Sequence, residues 1–245
     1  MTSKEFAFGD WEGFDGAIDR ADREVPTRWF GEVIGNKVIK SLERNNIKGL
    51  YASDSREAFM KIMEMVPPGA TIGFGDSVTL YQIGIIDQLR RGKYNLIDPW
   101  KKGVSAEETM ELRRKALTAD VFLSGANAIT LDGKLIFLDG LGNRVAAILF
   151  GPKKVIIAAG VNKITRNLEE GMKRVKALAA PMNYRRHNLT QLPCAITGVC
   201  SDCHSPFRAC SQLVIIEQET PPQLRSLFYK DQRLHVVLIG ESLGF

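Results

Sequence analysis

A chain of 245 residues that is 44% hydrophobic and 25% charged has the usage of a soluble globular protein with a sizeable core, which excludes disorder, collagen and long coiled coils. No run approaches the roughly 18 uncharged apolar residues of a bilayer helix, and the first thirty residues carry Asp, Glu and Arg without an apolar leader core, so a cytoplasmic location with no membrane partner is expected. The net charge of +5 comes from 33 Lys and Arg interleaved with 28 Asp and Glu; a nucleic-acid module would rest on charge alone, and an anionic small ligand suits the balance better.

The chain opens with a helical N-terminal extension over residues 1–46, polar from Asp15 to Glu24 and then carrying Trp29, Phe30, Val33, Ile34, Val38, Ile39 and Leu42 at three- and four-residue steps. Gly49 to Ala52 reads as a strand, and Ser53-Asp54 starts a helix whose apolar stripe is Ala58, Phe59, Ile62 and Met63. After the break at Pro67-Pro68-Gly69 come a strand over Thr71 to Phe74, a helix over Leu80 to Leu89 and a strand over Tyr94 to Ile97. Ser105 with Glu108 forms a capping box for another helix. Val121 to Leu123 reads as a buried strand, and Asp132-Gly133 joins Ala128–Leu131 to Lys134–Leu138 as a hairpin. A helix over Val145 to Leu149, a strand over Val155 to Ala159 and helical periodicity from Thr165 to Ala179, ending at Pro181, follow. Leu213 to Ile216 and His235 to Ile239 close the chain as strands. Strands alternating with helices predict an α/β domain over 47–245, a mostly parallel sheet with helices on both faces and one antiparallel excursion.

Three turns at predicted strand ends carry glycine or polar groups: Gly73-Phe-Gly-Asp-Ser77, Ser124-Gly-Ala-Asn127, and Asp139-Gly-Leu-Gly-Asn-Arg144. The first is neither a dinucleotide fingerprint, since Val78 replaces the third glycine, nor a Walker A loop. Each alone is compatible with an ordinary strand-to-helix turn. Together they place Gly73, Gly75, Ser77, Asn127, Gly140 and Arg144 at the carboxyl ends of strands, where open α/β sheets bind ligands. Backbone N–H groups and the Arg144 guanidinium suit a small carboxylate.

All four cysteines, Cys194, Cys200, Cys203 and Cys210, fall in one segment with C-x5-C-x2-C-x6-C spacing. Paired C-x2-C knuckles typical of structural zinc are missing, and four thiolates gathered from several directions suit an iron–sulfur centre, most simply [4Fe-4S]. Zinc and reactive thiols remain alternatives. Arg185, Arg186, His187 and Arg208 place positive charge near this segment, where it would favour an anionic cluster. His204 is a candidate supporting donor, and His235 carries no functional signal. Three histidines in the chain make a Ser-His-Asp triad improbable.

The segments Gly73 to Leu80, Leu123 to Gly133, Leu138 to Arg144, Val155 to Ile164 and Cys194 to Cys210 together resemble the LUD (lactate utilisation) family over roughly Thr27 to Phe245. The resemblance implies a fold similar to the NagB/RpiA/CoA-transferase-like group. It also implies a role in oxidising L-lactate to pyruvate, as an oxidoreductase or a component of an L-lactate dehydrogenase complex with electron-transfer protein partners. The family's larger members carry ferredoxin-like repeats in an appended domain; this chain instead has its own four-cysteine segment. The first expectation is therefore an iron–sulfur protein binding a small carboxylate. The alternative is a zinc-stapled enzyme for CoA- or sugar-phosphate-type ligands, or a ligand-binding regulator, on the same fold. Homo-oligomerisation stays open.

Overall fold

The computed structural model describes residues 20–228 and 231–245; the part of the N-terminal extension before Arg20 lies outside them. Six strands form one parallel sheet in the order β1-β10-β7-β4-β2-β3. They are β1 (Lys48–Ala52), β2 (Thr71–Phe74), β3 (Asn95–Ile97), β4 (Val121–Gly125), β7 (Lys154–Gly160) and β10 (Leu234–Ile239). The central strands are continuous apolar runs because both faces are covered. Val155, Ile157 and Ala159 of β7 pack in one layer with Val38 and Leu42 of α1 (Arg20–Arg44), while Ile156 and Ala158 face the opposite layer with Ala58 and Ile62 of α2 (Ser55–Glu64). His235, the second residue of β10, is buried between β1 and β7, with Nδ1 3.2 Å from the Arg233 carbonyl.

A second, four-stranded sheet runs β8-β5-β6-β9, with β5 (Ala128–Thr130), β6 (Leu135–Asp139), β8 (Ile164–Thr165) and β9 (Gln212–Ile216). The Asp132-Gly133 turn is present, but β6 continues antiparallel to β9, so the excursion is a sheet in its own right. It lies beside the carboxyl ends of the main sheet, because β5 begins three residues after β4 ends and β8 follows β7 through a single 3₁₀ turn.

Four boundaries differ from the sequence reading. Only the second half of the apolar face of α1 is buried; Trp29, Phe30 and Val33 are exposed because the helix begins beyond the sheet. The helix expected over Leu80 to Leu89 is two, α3 (Val78–Gln82) and α4 (Ile85–Arg91), broken at Gly84. The strand β4 continues to Gly125, so Ser124 is a fully buried strand residue rather than part of the following turn. Pro181 does not end a helix: α7 (Leu168–Arg174) passes through a π-type turn at Val175–Ala179 into α8 (Ala180–Arg186). Proline lacks the N–H an α-helix interior needs, and the wider turn just before it accommodates that loss. The remaining helices that frame the site are α5 (Ala106–Ala116), with Ser105 capping Glu108 N at 3.1 Å, α6 (Asn143–Leu149) and α9 (Pro193–Thr197).

Candidate functional site

A cavity of about 540 Å³ opens where β2, β4 and β6 end. Gly75, Ser77, Asn127, Gly140 and Arg144 line it. Gly73 does not: it sits inside β2, where an added Cβ would lie 2.9 Å from Ala116 Cβ, so its role is close packing of α5 on the sheet.

Arg144 is the centre of a bonded knot. Its Nε donates to Asp139 Oδ2 at 3.3 Å, Nη1 to the Gly125 carbonyl at 3.3 Å, and Nη2 to Asn127 Oδ1 at 3.1 Å and the Leu138 carbonyl at 2.7 Å. These bonds use four of the five guanidinium N–H groups, so Arg144 has one left for a ligand rather than the two that a bidentate carboxylate contact takes. Asn127 is equally committed, since the same Oδ1 accepts from Leu138 N at 3.0 Å. Ser77 Oγ caps α3 through Leu80 N. Asp139 pairs with Arg144 and also accepts from Gly142 N and Val145 N at the start of α6. The sequence-marked residues thus hold the carboxyl ends of β4 and β6 together and shape the wall.

Groups the sequence reading missed complete the cavity. Lys163, at the end of a 3₁₀ turn after β7, is 5% exposed, and its Nζ lies 3.1 Å from Thr79 Oγ1. Burial, with Arg174 and Arg144 nearby, lowers its pKa to about 7. At the mouth, Asp76 is bonded by Arg186 and His187, the latter at 2.6 Å. Burial pushes its carboxyl up, but these two partners outweigh it and hold the pKa low. Arg186 and His187 therefore serve the cavity mouth rather than the cysteines. Trp100, with Arg113 stacked 5.1 Å from its ring, closes the same end. One sequence signal could have found Lys163: it comes three residues after β7 ends, at the end of the strand where ligands collect.

Cys194, Cys200, Cys203 and Cys210 all line a second, small cavity of about 20 Å³, and none is in a disulfide. Burial first, and then the charges of Cys200, Cys203 and Cys210, raise the Cys194 pKa. Arg208 organises the loop, donating to the Cys203 carbonyl at 2.7 Å and to Asp202 at 2.9 Å. Among the described residues no three His, Cys, Asp or Glu side chains converge on a point as a single metal ion requires; four thiolates on one zinc would stand about 3.8 Å apart. Four thiols are the donor set an iron–sulfur centre takes, and the cavity among them, with room for about one water, is smaller than such a cluster. Leu138, Ala180 and Tyr184 line both cavities, and Gly140 touches the cysteine loop so closely that a Cβ there would lie 2.9 Å from the Ala209 carbonyl oxygen.

The LUD domain matches residues 35–239. The chain belongs to the LUD domain family. That family is associated with lactate utilisation. None of the curated proteins matches. Among solved structures, a DUF162 family protein from Deinococcus radiodurans is 12% identical, covers 85% of this chain and 98% of its own, and superposes with a TM-score of 0.49. The eIF2B delta of Chaetomium thermophilum is 19% identical over 59% of this chain and 57% of its own, with a TM-score of 0.31. The tetrameric eIF2B-beta2-delta2 complex of C. thermophilum is 18% identical over 62% of this chain and 51% of its own, also at 0.31. Among the described residues of this LUD domain, no helix is long and apolar enough to cross a membrane.

Proposed function

We propose that this LUD domain binds a small carboxylate, a 2-hydroxy acid of the lactate class, in the large cavity, and that Cys194, Cys200, Cys203 and Cys210 hold an iron–sulfur cluster against the cavity wall. The shared wall of Leu138, Ala180 and Tyr184 carries this reading, because it puts the four thiols one side-chain layer from the ligand space. The cluster, when bound, supplies one-electron acceptance, so that oxidation of a 2-hydroxy acid to a 2-oxo acid requires an electron-transfer partner to take the electrons onward.

The chain's own residues set up the rest. Arg144 and Arg174 stand beside Lys163 and make the inner end of the cavity positive, and among the described residues only Arg144 has an acidic partner there, Asp139. An entering carboxylate supplies the missing negative charge, and the remaining Arg144 N–H is available to orient it. Tyr184, whose hydroxyl is held neutral by burial and then by Cys210, separates ligand from sulfur without adding charge.

A second reading has one observation in its favour. A cavity of about 540 Å³ lies in the range that holds drug-sized ligands, larger than a three-carbon acid fills, so a sugar phosphate or CoA-type ligand reaching the Asp76, His187 and Trp100 end is the alternative. Ligand-observed NMR with lactate, pyruvate, a sugar phosphate and CoA separates the two: saturable lactate or pyruvate binding that Arg144→Lys weakens supports the first, and binding of only the phosphorylated compounds overturns it.

A further inference from the structure

Lys163 is a buried amine without an acid. It lines the cavity wall, with the backbone of Gly244 over it so closely that a Cβ there would lie 2.9 Å from Nζ. Its hydrogen-bond partner is the Thr79 hydroxyl at 3.1 Å, and among the described residues no carboxylate lies within ion-pair distance. The charged groups that face it are Arg144 from α6 and Arg174 from α7, both cations. Arg144 is compensated by Asp139, and Arg174 is bonded to the Asn162 and Asn127 carbonyls at 3.2 and 2.6 Å. Two fixed guanidinium charges thus already attract an anion to this end. A third fixed cation would repel them, and a desolvated lysine beside other cations is instead the environment that exposes an amine lone pair.

We propose that Lys163 Nζ captures the carbonyl carbon of a small 2-oxo acid as a reversible imine. This rests on the reading that the cavity takes a small carboxylate, and it names the residue that handles the oxidised form of that ligand. The neutral amine adds its lone pair to C2, and the carbonyl π electrons move to oxygen, which takes a proton, giving a carbinolamine. Expulsion of water then forms the C=N bond. The oxygen lost is the former carbonyl oxygen, its two hydrogens come in net from the amine, and no oxidant or reductant is consumed. The Thr79 hydroxyl, already bonded to Nζ, is placed to pass protons between nitrogen and the departing oxygen. Taking up one proton from solvent, the imine becomes a cation, now beside the ligand's own carboxylate, which the remaining Arg144 N–H can hold. The amine is half neutral near its pKa of about 7, so capture proceeds at neutral pH, where exposed lysines are almost wholly protonated.

The test is reductive trapping on the full chain: pyruvate with cyanoborohydride, then intact mass and peptide mapping, alongside ligand-observed NMR of pyruvate on the same preparation. The expected result is one reduced adduct per chain, on Lys163, saturating with pyruvate, forming faster as pH rises through about 7 and lost in Lys163→Arg. Thr79→Val should slow trapping about a hundredfold, the low end for loss of a proton-transfer group. Pyruvate that binds by NMR while adducts are missing, or spread over exposed lysines, overturns the capture proposal and leaves the carboxylate-binding reading standing. No binding and no adduct overturns both. Site mapping on the unmodified protein decides the matter even where a Lys163 variant fails to fold.

Discussion

Arg144 Nη2 donates to Asn127 Oδ1 at 3.1 Å, so two residues that sequence marks as ligand groups are bonded first to each other. The knot they form fixes the ends of β4 and β6, while the less conspicuous Lys163 lines the same cavity with the Thr79 hydroxyl as its hydrogen-bond partner.

Removing the guanidinium should therefore act on folding before binding. Arg144→Met leaves Asp139 and the Gly125 and Leu138 carbonyls without their donor. The expected cost is about 3–5 kcal/mol, as for a broken buried ion pair, read by urea denaturation. Arg144→Lys should lie between this variant and the natural protein, since it keeps the charge but loses the fork. Unchanged stability would show that the knot is not what holds the cavity.

His235 gives the fold an acid-sensitive point. Burial first, with Lys154 and Lys48 adding to it, lowers its pKa to about 4 from an ordinary 6.5. The folded state therefore binds fewer protons than the unfolded chain between those values. Stability falls as pH drops from 6.5 to about 4, by up to about 3 kcal/mol. His235→Gln should remove that component from the pH dependence of unfolding, and an identical pH profile for the variant would contradict it.

The contact between Gly140 and Ala209 ties the two cavities together. Gly140→Ala must push the Ala209 carbonyl away from its present place, which should cost about 1–3 kcal/mol by overpacking. It should also hasten loss of any bound iron in air, measured as decay of visible absorbance. A variant that loses stability but keeps its iron as long as the natural protein would separate the cavities.

Much of the main sheet was legible because fully buried parallel strands are short β-branched runs, as in β7 and β10, and because Ser105 announces its helix. The second sheet was not. Leu213 to Ile216 reads as a strand, but nothing local says that it pairs with β6 rather than extending the main sheet. Pro181 misled because a π-type turn placed ahead of it lets the helix go on. At the site, polar and glycine-rich turns located the cavity, while Gly73 was misplaced by one strand residue. The bonds of Arg144 to Gly125, Asn127, Leu138 and Asp139 were not legible, because only the fold brings these groups together. Lys163 escaped notice because a lone lysine after a strand looks like any surface cation until tertiary packing buries it.

The central claim is that the four thiols hold iron beside the cavity. Iron and acid-labile sulfide should be quantified per chain, with a visible spectrum, in protein prepared without oxygen, together with Cys200→Ser. The account predicts a brown protein with stoichiometric iron and sulfide. In the variant the colour should be bleached and the melting temperature lowered, because metal affinity is partly folding energy. Colourless protein without iron, or a Cys200→Ser variant with unaltered colour and melting, would contradict it.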